Sequence, residues 1–571
     1  MVSVNWSAND RKQILDFIQK QNFDLIIIGG GITGAGIARE CTLRGLSFCL
    51  LDKNDFAFGT SSRSSKLFHG GLRYLASGEF GLVRESTSER NWLRCHLPNL
   101  VRPLGFVYPS YENYNAKPLK IRLAVLLYDL LSNCFSEHKN YRKSRIFKAS
   151  FMEELEPAVA LEDPELGKMT MAGYYYDTNC DDARVTLEII KESLAGSKDR
   201  SAALNYAPVD GFLKGQDNKV NGVAVTDIFS GQNFEVRGRC VISATGVWTD
   251  QVLAGSDYNQ ERIYPTKGVH LVVPAERLGN RNAFSLVSLD DGRFFFILRR
   301  GKVSIIGTTD TAYYLESSNL DEPWCTREDC DYLLKTVNRV FPRARLTDAD
   351  IISAYAGIRP LIRQEGAKHE SDVSRNHEIF AAADGVVAIA GGKSTTHRRM
   401  AEDLLYYLVR EKFISPFDKP EQMKKGYSKI PFAIGLTRNE FDALARVKGL
   451  FETAHPDQHE HFYTQYGRGG LTVLEAIRAN PASGKPFLEG YPFCEAEILY
   501  ILENENAPKL MDVLCRRTEA QWLVWHHRQD KLAADVAAVM ARYHNWSDET
   551  RTEEIGQYLD YVEQNVHFLR G

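Results

Sequence analysis

Residues 23–52, FDLIIIGGGITGAGIARECTLRGLSFCLLD, constrain the fold more than any other stretch. The apolar run at 25–28 is short and isoleucine-rich, as a buried parallel strand requires. A G-x-G-x-x-G signature follows, with Gly29, Gly31 and Gly34 at its fixed positions. Gly29 lets the chain turn off the strand end. Gly31 lets a phosphate approach the backbone, and Gly34 lets the next helix pack close to the sheet. That helix aims its free amides and positive dipole end at the turn, where a pyrophosphate sits. A second apolar run at 47–51 ends in Asp52, an acid placed to accept hydrogen bonds from an adenosine ribose. The glycine signature alone is weak. Strand, turn, helix, strand and acid in this order indicate a dinucleotide site, without saying which dinucleotide.

With 571 residues the chain exceeds what one core holds, and two or three domains are expected. A net charge of −4 provides no bulk basic field, so no nucleic-acid partner is expected. Ten cysteines are scattered without a C-x-x-C pair, which fits buried thiols in a reducing compartment. The first 21 residues lack the apolar core of a signal peptide and read as a capped amphipathic helix. No run of about 20 apolar residues marks a membrane span.

After Asp52 comes FAFGTSSRSSKLFHGGLRYLASGEF. Its hydroxyls and glycines are too polar for core and suit the oxygens of an extended cofactor; a plain surface loop is the alternative. A helix is expected at 79–97. Residues 111–148 stand apart. Lys117, Lys120 and Arg122 precede the apolar IRLAVLLYDLL, and Lys139, Arg142, Lys143 and Arg145 follow it. Such a helix lies either on an anionic membrane surface or in the core with a solvated basic edge. The residues alone lean to the buried form. DDARVTLEIIKESLAG reads as a helix started by Asp181 or Asp182, and RCVISATGVWTD as a strand ending in a small-residue turn.

Between 261 and 350, short alternating runs such as KGVHLVVPAE and RFFFILRRGKVSIIGTTDT indicate an antiparallel sheet. The stretch 351–410 holds AYAGIRPL, then a strand, the Gly391-Gly392 turn and a helix. Three separated strand-to-glycine turns point to one nucleotide domain assembled from 1–110, 181–260 and 351–410. A substrate (cap) domain then comprises 111–180 and 261–350. The Pro- and Lys-rich 413–429 reads as a linker within a third unit, 411–571. There EAEILYILENENAPKLMDVLCRR and DKLAADVAAVMARYHNW show helical apolar spacing. His455, His459 and His461 cluster without the ligand spacing of a metal site, so no metal is expected. The fold class expected is α/β: a Rossmann-like nucleotide domain in discontinuous segments, an antiparallel-sheet substrate domain and a helical C-terminal domain.

IIIGGGITGAGIA, TSSRSSKLFHGGLRYL, CDDAR, ATGVW, KGVHLVVP, IIGTTDT, GIRPL and AGGKSTTHRRMAE occur in that order. Together they resemble the FAD-dependent (aerobic-type) glycerol-3-phosphate dehydrogenase family, within the D-amino-acid-oxidase-like flavoproteins. The resemblance covers nearly all of 22–410 and includes EAEILYILENENAPKLMDVLCRRT in the helical region. It implies FAD as cofactor, sn-glycerol 3-phosphate as substrate, dihydroxyacetone phosphate as product and a quinone as electron acceptor. It further implies a cytoplasmic protein, peripheral on the inner face of the cell membrane; a homodimer is left open. For FAD it implies Gly29, Gly31, Gly34 and Asp52 at the adenosine and pyrophosphate, then Thr60, Ser61, Ser62, Ser65 and Lys66 along the cofactor. His69, Gly70, Gly71 and Leu72 would approach the flavin, and Ala244, Gly246, Gly392, Ser394 and Thr395 would close the site. Members more often carry Glu where this chain has Asp52; the shorter acid still reaches a ribose.

The implied reaction asks for particular residues. Oxidising a secondary alcohol removes a hydride from carbon, for which flavin N5 is the acceptor, and a proton from oxygen. His270 in KGVH is the leading base candidate, because imidazole titrates near neutral pH; a structural histidine in a strand is the alternative. Lys393 would polarise the alkoxide oxygen or hold the reduced flavin's charge, unless it is merely solvated. Arg359 in GIRPL and Arg375 in DVSRNHE are the phosphate candidates, with Arg73 and Tyr74 beside the flavin. An oxidase using oxygen, an amine or amino-acid oxidase of the same fold, and a non-enzymatic FAD-binding scaffold are the competing readings. Related oxidases in some cases carry a long insertion that is not evident here, which favours the dehydrogenase.

Overall fold

The structure, a computed structural model, describes residues 6–75, 77–114, 117–313, 319–363 and 376–570. The helix Arg11–Ile18 leads into strand Asn22–Ile28, whose last four residues are buried. This strand lies parallel to Phe48–Leu51 on one side and to Asn233–Ser243 on the other. Val387–Gly391 continues the sheet in parallel beyond Asn233–Ser243, and Ala202–Leu204 does so beyond Phe48–Leu51. His377–Ala381 closes one edge in antiparallel. Strands from three distant parts of the chain thus make one Rossmann-like sheet, and their near-continuous apolar sequences suit strands covered on both faces.

Helix Ile32–Arg44 can pack on this sheet because Gly34 has no side chain. A Cβ there would stand 1.9 Å from the Gly29 carbonyl oxygen. The helix stops at Gly45, which takes the left-handed conformation (φ +78°) that ends helices readily.

The second sheet is larger and mostly antiparallel. Ile263–Pro274 pairs with Val303–Gly307 on one side and, over ten residue pairs, with Ser353–Ile362 on the other. Ser353–Ile362 therefore belongs to this sheet, not to the nucleotide segment 351–410 expected from sequence. Leu67–Phe68 and Val101–Tyr111 also join it, through Gly167–Cys180, so the segment 1–110 is likewise divided. The expected strand region 261–350 contains a helix as well, Arg327–Val340, started by a capping box between Thr326 and Asp329.

Helix Pro118–Cys134 corrects the lean toward a buried helix. It buries Ile121, Val125, Tyr128 and Leu131, but Leu119, Leu123, Leu126 and Leu130 are 67%, 58%, 63% and 50% exposed. Steps of four, three and four residues put those leucines on one face. No helix among the described residues is long and apolar enough to cross a membrane.

The C-terminal helices, among them Pro456–Tyr466, Glu495–Asn504, Gln529–His544 and Asp548–Val566, close around their own core, which includes Phe462, Leu474, Ile498 and Val536. The chain leading to them is tied down. Arg39 donates to the carbonyls of Ser428 and Ile430, and Arg44 to that of Gln422.

Candidate active site

The C-terminal ends of the parallel strands open onto a cleft of about 1360 Å³, its open mouth included. Gly29, Gly31, Asp52, Thr60, Ser61, Ala244, Gly246, Gly392 and Ser394 line it. At Gly29 (φ +106°) a Cβ would approach the Ala244 carbonyl to 2.6 Å, so the turn accepts only glycine. Gly31 caps helix Ile32–Arg44 without a side-chain hydrogen bond, and the Ile32 N–H donates to Ser61 Oγ at 2.9 Å. A helix start bounded by small residues is a ready anion site. Asp52 accepts from Gly30 N (2.7 Å) and Asn54 N (2.9 Å), and each carboxylate oxygen keeps capacity for a further donor. Burial pushes its pKa up to about 7, against the pull of the two backbone donors.

This long cleft has a phosphate-sized notch at a helix start and an acid at one end, and it fits FAD. Asp52→Ala is expected to weaken FAD binding by about 1.5–3 kcal/mol, roughly ten- to hundred-fold. Titration of apoprotein by flavin fluorescence reads this directly, and an unchanged dissociation constant would remove Asp52 from the cofactor site.

At its inner end the cleft runs into a polar hollow. The two share Thr60, Ser64, Gly392, Lys393 and Ser394 as lining. Antiparallel register explains the hollow. Thr266, Gly268 and His270 oppose Arg359, Gly357 and Tyr355, so alternate residues of both strands share one face. The opposed glycines leave the floor open between His270 and Arg359. A Cβ at Gly268 would come within 2.5 Å of Arg359 Nη2.

His270 is 2% exposed and stacks on Tyr355 at 4.7 Å between centroids; its Nε2 lies 2.9 Å from Ser65 Oγ. Burial, with Arg359 and Lys66 nearby, holds its pKa well below the usual imidazole range, so the ring is neutral. Arg359 is aimed by Asp310 (3.0 Å), Thr308 Oγ1 (2.9 Å) and the Thr309 carbonyl (3.1 Å). Lys393 places Nζ 3.8 Å above the Tyr74 ring and 3.4 Å from Ser86 Oγ. Arg73 lies over the same ring at 4.9 Å and donates to the Tyr74 hydroxyl. His69 and Thr395 are joined by a hydrogen bond from His69 N to Thr395 Oγ1 at 3.2 Å. Arg375 lies outside the described residues.

Some side chains expected along the cofactor point elsewhere. Lys66 is buried against Asp182 (2.5 Å) and the Ser62 carbonyl, because an acid far along the chain neutralises it. Ser62 turns its hydroxyl back to the carbonyls of Phe58 and Gly59. Gly70 faces inward, its N–H donating to Asp177 and to the Tyr128 hydroxyl. Gly34 serves by packing alone. Asp182 and Ser64 were missed as site residues. Ser64 lines the cleft, and Asp182 accepts from both its N–H and its hydroxyl. Asp181 already supplies the helix cap, so the second acid of CDDAR is free for this task, and that spare acid is the legible signal.

A third cavity, of about 1260 Å³ with its open mouth included, is mostly apolar. His69, Gly71, Leu72 and Arg73 form one end; Ile121, Leu123, Ala124 and Leu127 of helix Pro118–Cys134 form a wall. Tyr128 on that helix bonds Asp177, which in turn is paired with buried Arg90.

Comparison with known proteins agrees with this geometry. A family described as FAD dependent oxidoreductase matches residues 24–398, and one described as the C-terminal domain of alpha-glycerophosphate oxidase matches 422–551. The chain is 36% identical over 558 residues to glycerol-3-phosphate dehydrogenase 2 of Mycobacterium bovis, covering 96% of this chain and 89% of that one. It is 33% identical to the aerobic glycerol-3-phosphate dehydrogenase of Staphylococcus aureus, covering 97% of each. The crystal structure of the glycerol-3-phosphate dehydrogenase from Bacillus halodurans, complexed with FAD, superposes with a TM-score of 0.76 at 29% identity, covering 99% of both chains. With its cleft, its domain composition and these relatives in agreement, the chain belongs to the FAD-dependent glycerol-3-phosphate dehydrogenases, within the FAD-dependent oxidoreductase family.

Proposed function

We propose that the chain oxidises sn-glycerol 3-phosphate to dihydroxyacetone phosphate and passes the electrons to a membrane quinone. The observation that carries the first step is the polar hollow, where a neutral imidazole and fixed cations meet at the inner end of the cofactor cleft. Bound FAD supplies the hydride acceptor. His270 takes the hydroxyl proton onto its ring. Ser65 Oγ, on Nε2, fixes the ring's orientation. Lys393 lies where it stabilises negative charge developing on the substrate oxygen. Arg359, with Arg375 and Arg73, binds the phosphate through paired N–H donors. Tyr74 holds Arg73 and Lys393 against its ring, which keeps both cations at fixed positions despite their mutual repulsion.

The acceptor is read from the apolar side. The third cavity brings nonpolar walls to His69 and Gly71, and its outer wall is the leucine-striped helix. Lys117, Lys120, Arg122, Lys139, Arg142 and Lys143, all exposed, lie before, within and after that helix in sequence. An exposed apolar face on a helix flanked by cations suits an anionic lipid surface, where a lipid-soluble acceptor resides.

Two measurements test this. After anaerobic reduction, a soluble quinone is expected to reoxidise the protein much faster than air does; faster reoxidation by air, with peroxide formed, would make it an oxidase. Leu123→Ser with Leu126→Ser is expected to lower partitioning onto anionic vesicles at least tenfold, since burying each leucine is worth roughly 1.5–3 kcal/mol. Unchanged sedimentation with vesicles would remove this helix from any membrane contact.

A further inference from the structure

The loop that lines one side of the FAD cleft, 52–66, is held from behind by the C-terminal domain. Three residues of one short segment, Arg516, Arg517 and Glu519, do this. Arg516 Nε donates to Asp55 at 2.5 Å, and Arg517 donates to both Asp55 oxygens. Asp55 is fully buried; burial alone would raise its pKa, but Arg517 and Arg516 outweigh it and hold it at about 2. Three residues further along the loop, Phe58 lines the cleft, as Asp52, Lys53 and Asn54 do just before Asp55. At the loop's other end Glu519 stands 3.9 Å from Lys66 Nζ and accepts from Arg300 at 2.6 Å. Lys66 in turn bonds Asp182, which fixes Ser64 in the cleft wall.

The same segment goes on to the substrate sheet. Trp522 lies under both cations, 5.4 Å from Lys66 Nζ and 5.1 Å from the Arg300 guanidinium. Its carbonyl accepts from Ser353 Oγ at 2.9 Å, at the start of the strand that carries Tyr355 and Arg359. Glu519 adopts φ +59°, a conformation rare for a residue with a side chain. The pairs of Asp55 with Arg516 and Arg517 are weak evidence for stability but good devices for fixing one arrangement, because breaking one leaves an unpaired charge; at Glu519 burial raises the carboxyl well above its usual range, against the pull of Arg300 and Lys66.

We propose that segment 516–522 is a positioning element for the cofactor loop, so that retention of FAD is a joint property of the nucleotide and C-terminal domains. The proposal rests on FAD occupying the cleft, and a protein that takes up no flavin would fail that premise before reaching this one. Coupling of this kind is reciprocal: if the segment holds the cofactor, the cofactor holds the segment.

The test uses the full chain. In hydrogen exchange on the native protein with and without FAD, the amides of 516–522 are expected to lose protection at least tenfold when FAD is removed, while Glu495–Asn504 in the same domain keeps its protection. In Glu519→Gln, FAD is expected to dissociate at least tenfold faster, at temperatures where far-ultraviolet dichroism remains native. Glu497→Gln is the control, because Glu497 is equally buried in that domain but bonds only within it, to His461 and Tyr466. It should leave the FAD off-rate unchanged below its melting point. Equal FAD loss in both variants, or exchange at 516–522 that ignores FAD, would overturn the proposal; the exchange measurement needs no variant to fold.

Discussion

Arg359→Ala raises the glycerol 3-phosphate concentration needed for half-maximal flavin reduction by tens- to a thousand-fold, with FAD still bound. The size follows from removing one partner of a buried, charge-assisted contact, which costs about 2–5 kcal/mol. Direction comes from geometry. Asp310, Thr308 and Thr309 already hold the guanidinium, so its orientation is set before substrate arrives. Arg359→Lys should restore little, because an ammonium lacks the flat fork that matches two phosphate oxygens. Stopped-flow reduction against substrate concentration reads both variants, and a wild-type half-saturation would take Arg359 out of the phosphate site.

The second large effect is on rate. His270→Gln should slow flavin reduction by roughly 10²–10⁴-fold, the usual share of a positioned base, while substrate binding changes much less. Glutamine keeps a polar partner for Ser65, so the loss is assigned to proton transfer and not to a disturbed loop. The pH profile adds a signed expectation. A base works in its deprotonated form, and burial together with Arg359 and Lys66 puts the folded pKa well below the free value of about 6.5. Reduction should therefore hold its rate as pH falls from 8 through 6.5, and decline only at lower pH. A half-drop centred near 6.5 would mean that the working base is solvated, which His270 is not.

Local chemistry was legible wherever neighbours in sequence are also neighbours in space. Gly29, Gly31 and Asp52 announce the cleft because strand, turn and helix are consecutive. His270 and Arg359 stand on one face of the substrate sheet, since alternate residues of its paired strands share a face. What failed depended on distant partners. Lys66 looks like a phosphate ligand among its hydroxyl neighbours, and only the fold brings Asp182 and Glu519 to neutralise it. Ser353–Ile362 was placed with the wrong sheet because the glycine and proline of GIRPL hide a long strand that Ile263–Pro274 stabilises. The leucines of Pro118–Cys134 resemble core, and periodicity cannot tell which of two apolar faces finds a protein partner. Thr326 and Asp329 did carry a readable helix start within the strand-rich region, but alternating runs around them dominated the pattern.

The role of the C-terminal helices was silent for the same reason. Asp55 and Arg517 lie more than four hundred positions apart, and no local pattern links them.

The proposed reaction sends substrate hydride to a flavin bound in the cleft between the two sheets. Anaerobic mixing of the purified yellow protein with sn-glycerol 3-phosphate decides whether it does. Loss of the flavin's visible absorbance in a single turnover, with one dihydroxyacetone phosphate formed per flavin, is the predicted result. Absorbance that stays unchanged with glycerol 3-phosphate, or that bleaches with an amino acid instead, would contradict it.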